Sequence, residues 1–224
     1  MNTLTPTARA ADDPQRTLLL IGSGHRAYRE YALRSLAARY RLVLLDHAAP
    51  TWQQPHLAAH RTADIHNAEA VRTAVVDIRA EHVLHGVMTW DEFSTVTTAR
   101  IARDLGLPGP DPDAVGRCRN KAACRRALDA AGVPSAVWRH ATDLAGVRTA
   151  ARHIGYPLVL KPSAAGGSMG VIRVETAGEL APAYRFTRRA CAGQGSEGTG
   201  MLVESYLDGP EISVEVVTEA GRHQ

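Results

Sequence analysis

The feature that most constrains the fold is a pair of short apolar runs, 18–21 and 42–45, joined through Gly22-Ser23-Gly24 and a stretch of helical spacing. Each run is apolar at every position, so both faces of the strand it forms must be covered. Tyr28, Ala32 and Leu36 recur every four residues and predict a helix with those three on one face. Strand, helix and strand within about 30 residues make a parallel βαβ unit.

The alternation continues along the first half. Residues 48–66 read as irregular, with two prolines. Asn67 is suited to cap a helix running to about Arg79, with Val71, Val75 and Ile78 facing inward. Residues 82–88 read as a strand. Thr89-Trp90-Asp91-Glu92 matches the T-x-x-E capping box and predicts a helix ending near Gly106. Three prolines in LPGPDPD, 107–113, mark a domain boundary.

Beyond it, Asn120 is placed to cap a helix carrying Cys124, Ala127, Leu128 and Ala131 on one side and stopped by Gly132. Strands are expected at 135–139, 158–161, 170–174, 201–205 and 211–218, and helices at 143–153 and 177–190. CAGQGSEGTG, 191–200, has the composition of a flexible loop. A hairpin turn at 219–222 leaves the strand 211–218 without the partner its turn announces. Long bare edges are avoided in complete proteins, so the 224 residues read as part of a longer one.

Composition excludes several classes. The chain is 45% hydrophobic and 22% charged, with a net charge of +3 and no basic run, so nothing in it demands nucleic acid. No stretch approaches the ~20 apolar residues of a membrane helix. Residues 1–16 lack a signal-peptide core and are expected to be a disordered tail. Three cysteines without C-x-x-C spacing suit a reduced, cytoplasmic protein. His56 and His60 lack the intervening glutamate of a zinc-protease motif and have no third ligand, so no metal site is assigned to this chain.

Two glycine-rich stretches carry chemistry. Gly22, Gly24 and Ala27, with Asp46 downstream, fit the G-x-G-x-x-A dinucleotide fingerprint and raise the reading of an NAD-dependent oxidoreductase. The second is LVLKPSAAGGSMGVIRVE, 158–175. A Walker A loop puts its lysine after the glycines and before a helix. Here Lys161 precedes them and a strand follows, which describes a hairpin flap. Gly166, Gly167 and Gly170 allow backbone N–H groups to approach an anion. An ordinary mobile hairpin with a surface lysine is the plain alternative. In MLVESYLDGPEISVEV, 201–216, Glu211, Ser213 and Glu215 alternate with Ile212, Val214 and Val216, giving an expected strand with one acidic face. Of 26 basic residues, two alone are lysine, Lys121 and Lys161. In a chain that otherwise uses arginine, these positions call for a compact ammonium.

Three segments in order, RNKAACRRALDAAGVPSAVW, LVLKPSAAGGSMGVIRV and LVESYLDGPEISVEV, resemble the ATP-grasp ligases. The first ~90 residues resemble the Rossmann-like domain that precedes ATP-grasp domains. The resemblance implies an α/β chain: a Rossmann-like parallel-sheet domain at 17–108, a linker and helix at 109–133, a lid subdomain at 134–203, and the start of an incomplete ATP-grasp α+β subdomain at 204–224. It implies ATP contacts at Lys121 and Lys161, and a flap of Ser163, Gly166, Gly167, Ser168, Met169 and Gly170 over the phosphates. It places adenine beside Glu204, Ser205, Tyr206 and Leu207, and ribose at Glu211. Gly22, Ser23 and Gly24 would offer N–H groups to a substrate carboxylate, with Thr89, Asp91 and Glu92 as weaker candidates.

The activity implied joins a carboxylate to an amine through an acyl phosphate, with ATP and Mg²⁺ as cofactors. Small-molecule carboxylates and amines are the expected partners, and a homodimer is compatible with it. The family's metal-binding acids and catalytic arginine lie beyond residue 224, so the catalytic residue is not assigned and this chain alone is expected to be nearly inactive. The alternatives are a non-catalytic ATP-binding module, or half of a split ligase, and the NAD-dependent oxidoreductase.

Overall fold

The computed structural model describes residues 16–192, 198–219 and 221–223. The tail expected at 1–16 therefore lies outside the described residues except for Arg16, as does the middle of the loop expected at 191–200. The chain divides into two compact units, residues 1–120 and 121–224. The division falls inside the 109–133 stretch.

The first unit is built on four parallel strands: β1 (Thr17–Ile21), β2 (Arg41–Asp46), β3 (Ala59–Thr62) and β4 (Gly86–Met88), in the order β3-β2-β1-β4. Alternation assigns the two faces. Leu19, Ile21, Val43 and Leu45 pack with Val71, Ala74, Val75 and Ile78 of α2 (Ala68–Glu81) and Ile101 of α3 (Thr95–Asp104). Leu20, Leu42 and Leu44 pack with Leu33 of α1 (Arg26–Ala37) on the other face. Both faces are thus covered, as the unbroken apolar runs require.

Asn67 caps α2, accepting from the Glu69 and Ala70 amides at 3.0 and 3.1 Å. In α1 the inward residue is Leu33, not Tyr28, which is 72% exposed. The expected irregular segment 48–66 contains β3, an edge strand paired to β2. The strand expected at 82–88 is confined to Gly86–Met88, because His82 still donates its amide to the Ile78 carbonyl at the end of α2. The T-x-x-E box is half used: Thr89 Oγ1 accepts from the Asp91 amide at 2.9 Å and donates to the Ile21 carbonyl at 2.7 Å, while Glu92 pairs with Arg119 and Asp91 caps the turn by accepting from the Phe93 amide at 2.9 Å. The proline-rich stretch leads into α4 (Pro112–Arg119), capped by Asp111, within the same unit.

The second unit opens with α5 (Lys121–Ala130), where Ala122 is the buried residue and Ala127 is exposed. An antiparallel sheet follows: β5 (Trp138–Ala141), β6 (Leu158–Pro162), β7 (Ile172–Val174) and β8 (Met201–Ser205), in the order β5-β8-β6-β7. The helices α6 (Leu144–Ile154) and α7 (Leu180–Ala192) cover one face, burying Leu158, Leu160, Val174 and Val203 against Val147, Ala151, Leu180 and Ala183.

The strand expected at 211–218 does not form. Residues 206–217 have no regular structure and are largely exposed, Ile212 at 81% and Val214 at 74%. A strand needs a ladder partner, and Asp208-Gly209-Pro210 separates this segment from β8. Only the turn's flanks pair, as β9 (Thr218–Glu219) with β10 (Arg222–His223). Among the described residues no helix is long and apolar enough to cross a membrane.

Candidate functional site

Register decides which side chains meet in the second unit. Leu158 and Leu160 point to the helix-covered face of β6, so Val159 and Lys161 point to the other. On β8, Val203 faces the helices and Glu204 faces away. Val159 pairs with Glu204 and Lys161 with Leu202, which makes Lys161 and Glu204 diagonal neighbours on one face. Lys161 Nζ lies 2.5 Å from Glu204 Oε2.

Helix α5 supplies the rest. Its first amide, that of Lys121, donates to the Ser163 carbonyl at 2.7 Å. Near its far end Asp129 accepts from Trp138 Nε1 at 2.8 Å. Fixed at both ends, the helix delivers Lys121 and, one turn later, Arg125. Lys121 Nζ donates to the Ala165 carbonyl of the flap at 2.6 Å. Arg125 Nε donates to Glu204 Oε1 at 2.8 Å. Each Glu204 oxygen thus has its own cation. Burial pushes the Glu204 carboxyl up, but the hydrogen bonds from Arg125 and Lys161 outweigh it and hold it below the ordinary carboxylate range. The bond to Glu204 raises the Arg125 guanidinium further above its ordinary value.

The flap between β6 and β7 uses left-handed backbone at Gly167, Ser168 and Gly170, with φ of 61°, 57° and 75°. Met169 is 47% exposed. Ser163 is fully buried, its hydroxyl without a hydrogen-bond partner. On the adenine side of the expected site, Ser205 Oγ accepts from the Val137 amide at 3.1 Å, and Arg173 stacks 3.9 Å from the centre of the Tyr206 ring. Leu207 is 70% exposed, and Glu211 lies in the irregular 206–217 segment. The structure therefore brings Lys121, Lys161, Glu204 and the flap together and leaves Leu207 and Glu211 outside that cluster. Arg125 was not foreseen. Its signal was present, four residues after Lys121 on one helix face, but it is one of 24 arginines.

The first glycine turn is arranged differently. Gly22 N donates to the Leu45 carbonyl at 2.8 Å. Ser23 N and Oγ donate to Asp46 Oδ2 at 2.9 and 2.5 Å, and Gln53 Nε2 donates to Ser23 Oγ at 2.7 Å. Asp46, 5% exposed, is the acid of the dinucleotide fingerprint, and it is occupied in holding the turn. Two of the three amides expected to meet a substrate carboxylate are likewise engaged, leaving that of Gly24. Asp91 lies 3.0 Å from His66 Nε2, and exposed Glu92 pairs with Arg119.

The second unit thus carries a glycine hairpin rising from an antiparallel sheet, with a lysine at its base and a second reaching its backbone from a helix, an arrangement in keeping with the ATP-grasp class. The chain belongs to that superfamily: residues 154–224 match the ATP-grasp domain and residues 37–109 the ATP-grasp N-terminal domain. It is 34% identical over 213 residues to the uncharacterized protein y4rH of Sinorhizobium fredii, covering 92% of this chain and 44% of that one. Biotin carboxylase 2 of Bacillus subtilis is 33% identical over 160 residues, 70% of this chain and 36% of the carboxylase. The crystal structure of the L-amino acid ligase from Bacillus licheniformis superposes with a TM-score of 0.74 at 25% identity, covering 94% of this chain and 49% of the ligase. The chain thus spans about half the length of the relatives it matches.

Proposed function

We propose that the second unit binds ATP, and that the protein joins a carboxylate to an amine through an acyl phosphate. The supporting observation is that the chain's two lysines both lie at the flap, Lys121 bonded to its backbone and Lys161 at its base beside Glu204. Glycine-rich backbone with two ammonium groups suits a polyphosphate. In this reading a substrate carboxylate oxygen attacks the γ-phosphorus and ADP leaves. The amine nitrogen then attacks the acyl carbon, loses its proton, and phosphate leaves. Lys121 and Lys161 neutralise charge on the transferring phosphoryl group. The flap excludes water from the acyl phosphate. Glu204 holds Lys161 in place until nucleotide arrives. Residues 134–203 act as the lid.

Among the described residues no grouping of three or more His, Cys, Asp or Glu could hold a metal ion. The described residues by themselves do not form a magnesium site.

Thermal shift tests the nucleotide reading. ATP with Mg²⁺ at 100 times its Kd stabilises by about 2.7 kcal/mol, and NAD gives no shift. Lys161→Ala removes the ATP shift. A shift with NAD that survives Lys161→Ala, and none with ATP, overturns it.

A further inference from the structure

The flap is held at its two ends, besides the bond from Lys121 Nζ to the Ala165 carbonyl at 2.6 Å. At the first, buried Ser163 donates its amide to the Gly200 carbonyl at 3.1 Å and accepts from the Lys121 amide at 2.7 Å. At the second, the Gly170 carbonyl accepts from Thr187 Oγ1 at 2.8 Å. Thr187 lies on α7 and is 0% exposed. Gly170 is seated tightly there, since a Cβ on it would sit 2.6 Å from Ala190 Cβ and 2.9 Å from Pro162 Cγ. Between these two holds lie the left-handed Gly167 and Ser168 and the exposed Met169. The tip, residues 167–169, is exposed, whereas Ala165 and Gly166 before it are buried and the ends are locked.

We infer that Thr187 is a positioning residue for the flap, its buried hydroxyl fixing the Gly170 carbonyl so that the exposed tip, residues 167–169, moves against a stationary hinge. A buried carbonyl stripped of its donor keeps its full desolvation cost. Without the hydroxyl, Gly170 is therefore drawn toward water and that hinge loosens. The flap then covers a bound phosphate less of the time. That last consequence rests on the nucleotide reading, whereas the hinge itself does not.

The experiment compares wild type, Thr187→Val and Thr187→Ser by amide hydrogen exchange measured by NMR on the nucleotide-free 224-residue chain. Valine keeps the shape and removes the donor, and serine keeps the donor. The expected result is exchange at 167–170 about 5-fold faster in T187V, with β6 and β8 unchanged and T187S like wild type. Wild-type exchange in T187V, or T187S behaving like T187V, overturns the assignment. Should T187V not fold, the wild-type protein decides. Amides of Gly170 and Val171 exchanging as slowly as Ile172 support the hinge, and exchange as fast as 167–169 overturns it.

Calorimetry adds a second readout. T187V weakens ATP binding about 5-fold and leaves adenosine binding unchanged, because the flap covers phosphates rather than the nucleoside. Equal weakening of both overturns the hinge. Absence of ATP binding by the wild type counts against the nucleotide reading instead, and the exchange comparison still decides Thr187.

Discussion

The two glycine-rich turns have similar composition and opposite electrostatics. At Gly22–Gly24 the turn's donors point inward to an acid of the same unit: Asp46 takes both the amide and the hydroxyl of Ser23. At Ser163–Gly170 the neighbours are cations, and Lys121 reaches the flap's backbone carbonyl rather than its amides. Glycine permits a close approach in both cases. What approaches is set by the charges around the turn, so the G-x-G-x-x-A spacing misleads once Asp46 is seen to be engaged.

The largest effect expected from breaking this contrast is at Glu204. Glu204→Gln leaves Arg125 and Lys161 sharing a neutral partner and costs about 3 kcal/mol, the low end for a buried pair because both cations are partly exposed. Urea unfolding of the second unit measures it. The same carboxyl sets a pH dependence. Its folded pKa lies below the unfolded one, so its contribution is full above the ordinary carboxylate range and is lost as pH falls toward the folded value. Acid titration of stability should show that loss in wild type and not in Glu204→Gln.

Asp46→Asn comes next. Both Ser23 donors share Oδ2, which the asparagine carbonyl can replace, but its NH2 then faces the His47 amide that Oδ1 accepts at 2.8 Å, and that loss together with the weaker neutral acceptor costs about 2 kcal/mol. Thermal unfolding reads that cost in the first unit, and ATP affinity should be unchanged. Smallest is the difference between two glycine substitutions. Gly22→Ala and Gly170→Ala both force alanine into left-handed backbone, about 1 kcal/mol each. At Gly22 the added Cβ meets the flexible Ile65 Cδ1 at 3.0 Å, whereas at Gly170 it meets Ala190 Cβ at 2.6 Å. Gly170→Ala should therefore be the costlier by about 1 kcal/mol, and in a double-mutant cycle Ala190→Gly should relieve part of that excess, since Pro162 Cγ at 2.9 Å stays in place.

The strands with unbroken apolar runs were legible because burial on both faces leaves a strong mark. Strand β3 was not, since Ala59-His60-Arg61-Thr62 is a short, half-exposed edge whose pairing comes from β2 rather than from its own pattern. The opposite error occurred at 211–218, where perfect alternation has no ladder to join. At Thr89 the local pattern matched a capping box, and the hydroxyl takes the Asp91 amide as that pattern suggests, but its own proton goes across the sheet to Ile21, which no local pattern announces. In the candidate site, the lysines stood out by rarity and Glu204 by its place at the end of an apolar strand. Arg125 was hidden by abundance, and Thr187 could be read only from the packing of α7 against the flap.

The diagonal of Lys161 and Glu204 also makes the second sheet intolerant of mispairing. Sliding β6 by one residue along β8 would turn the ammonium toward Val147, Ala151 and Leu180 and expose leucines on the opposite side. A misaligned sheet would carry an unneutralised charge in its oiliest layer, so the same two side chains favour one register of β6 on β8 over its neighbours.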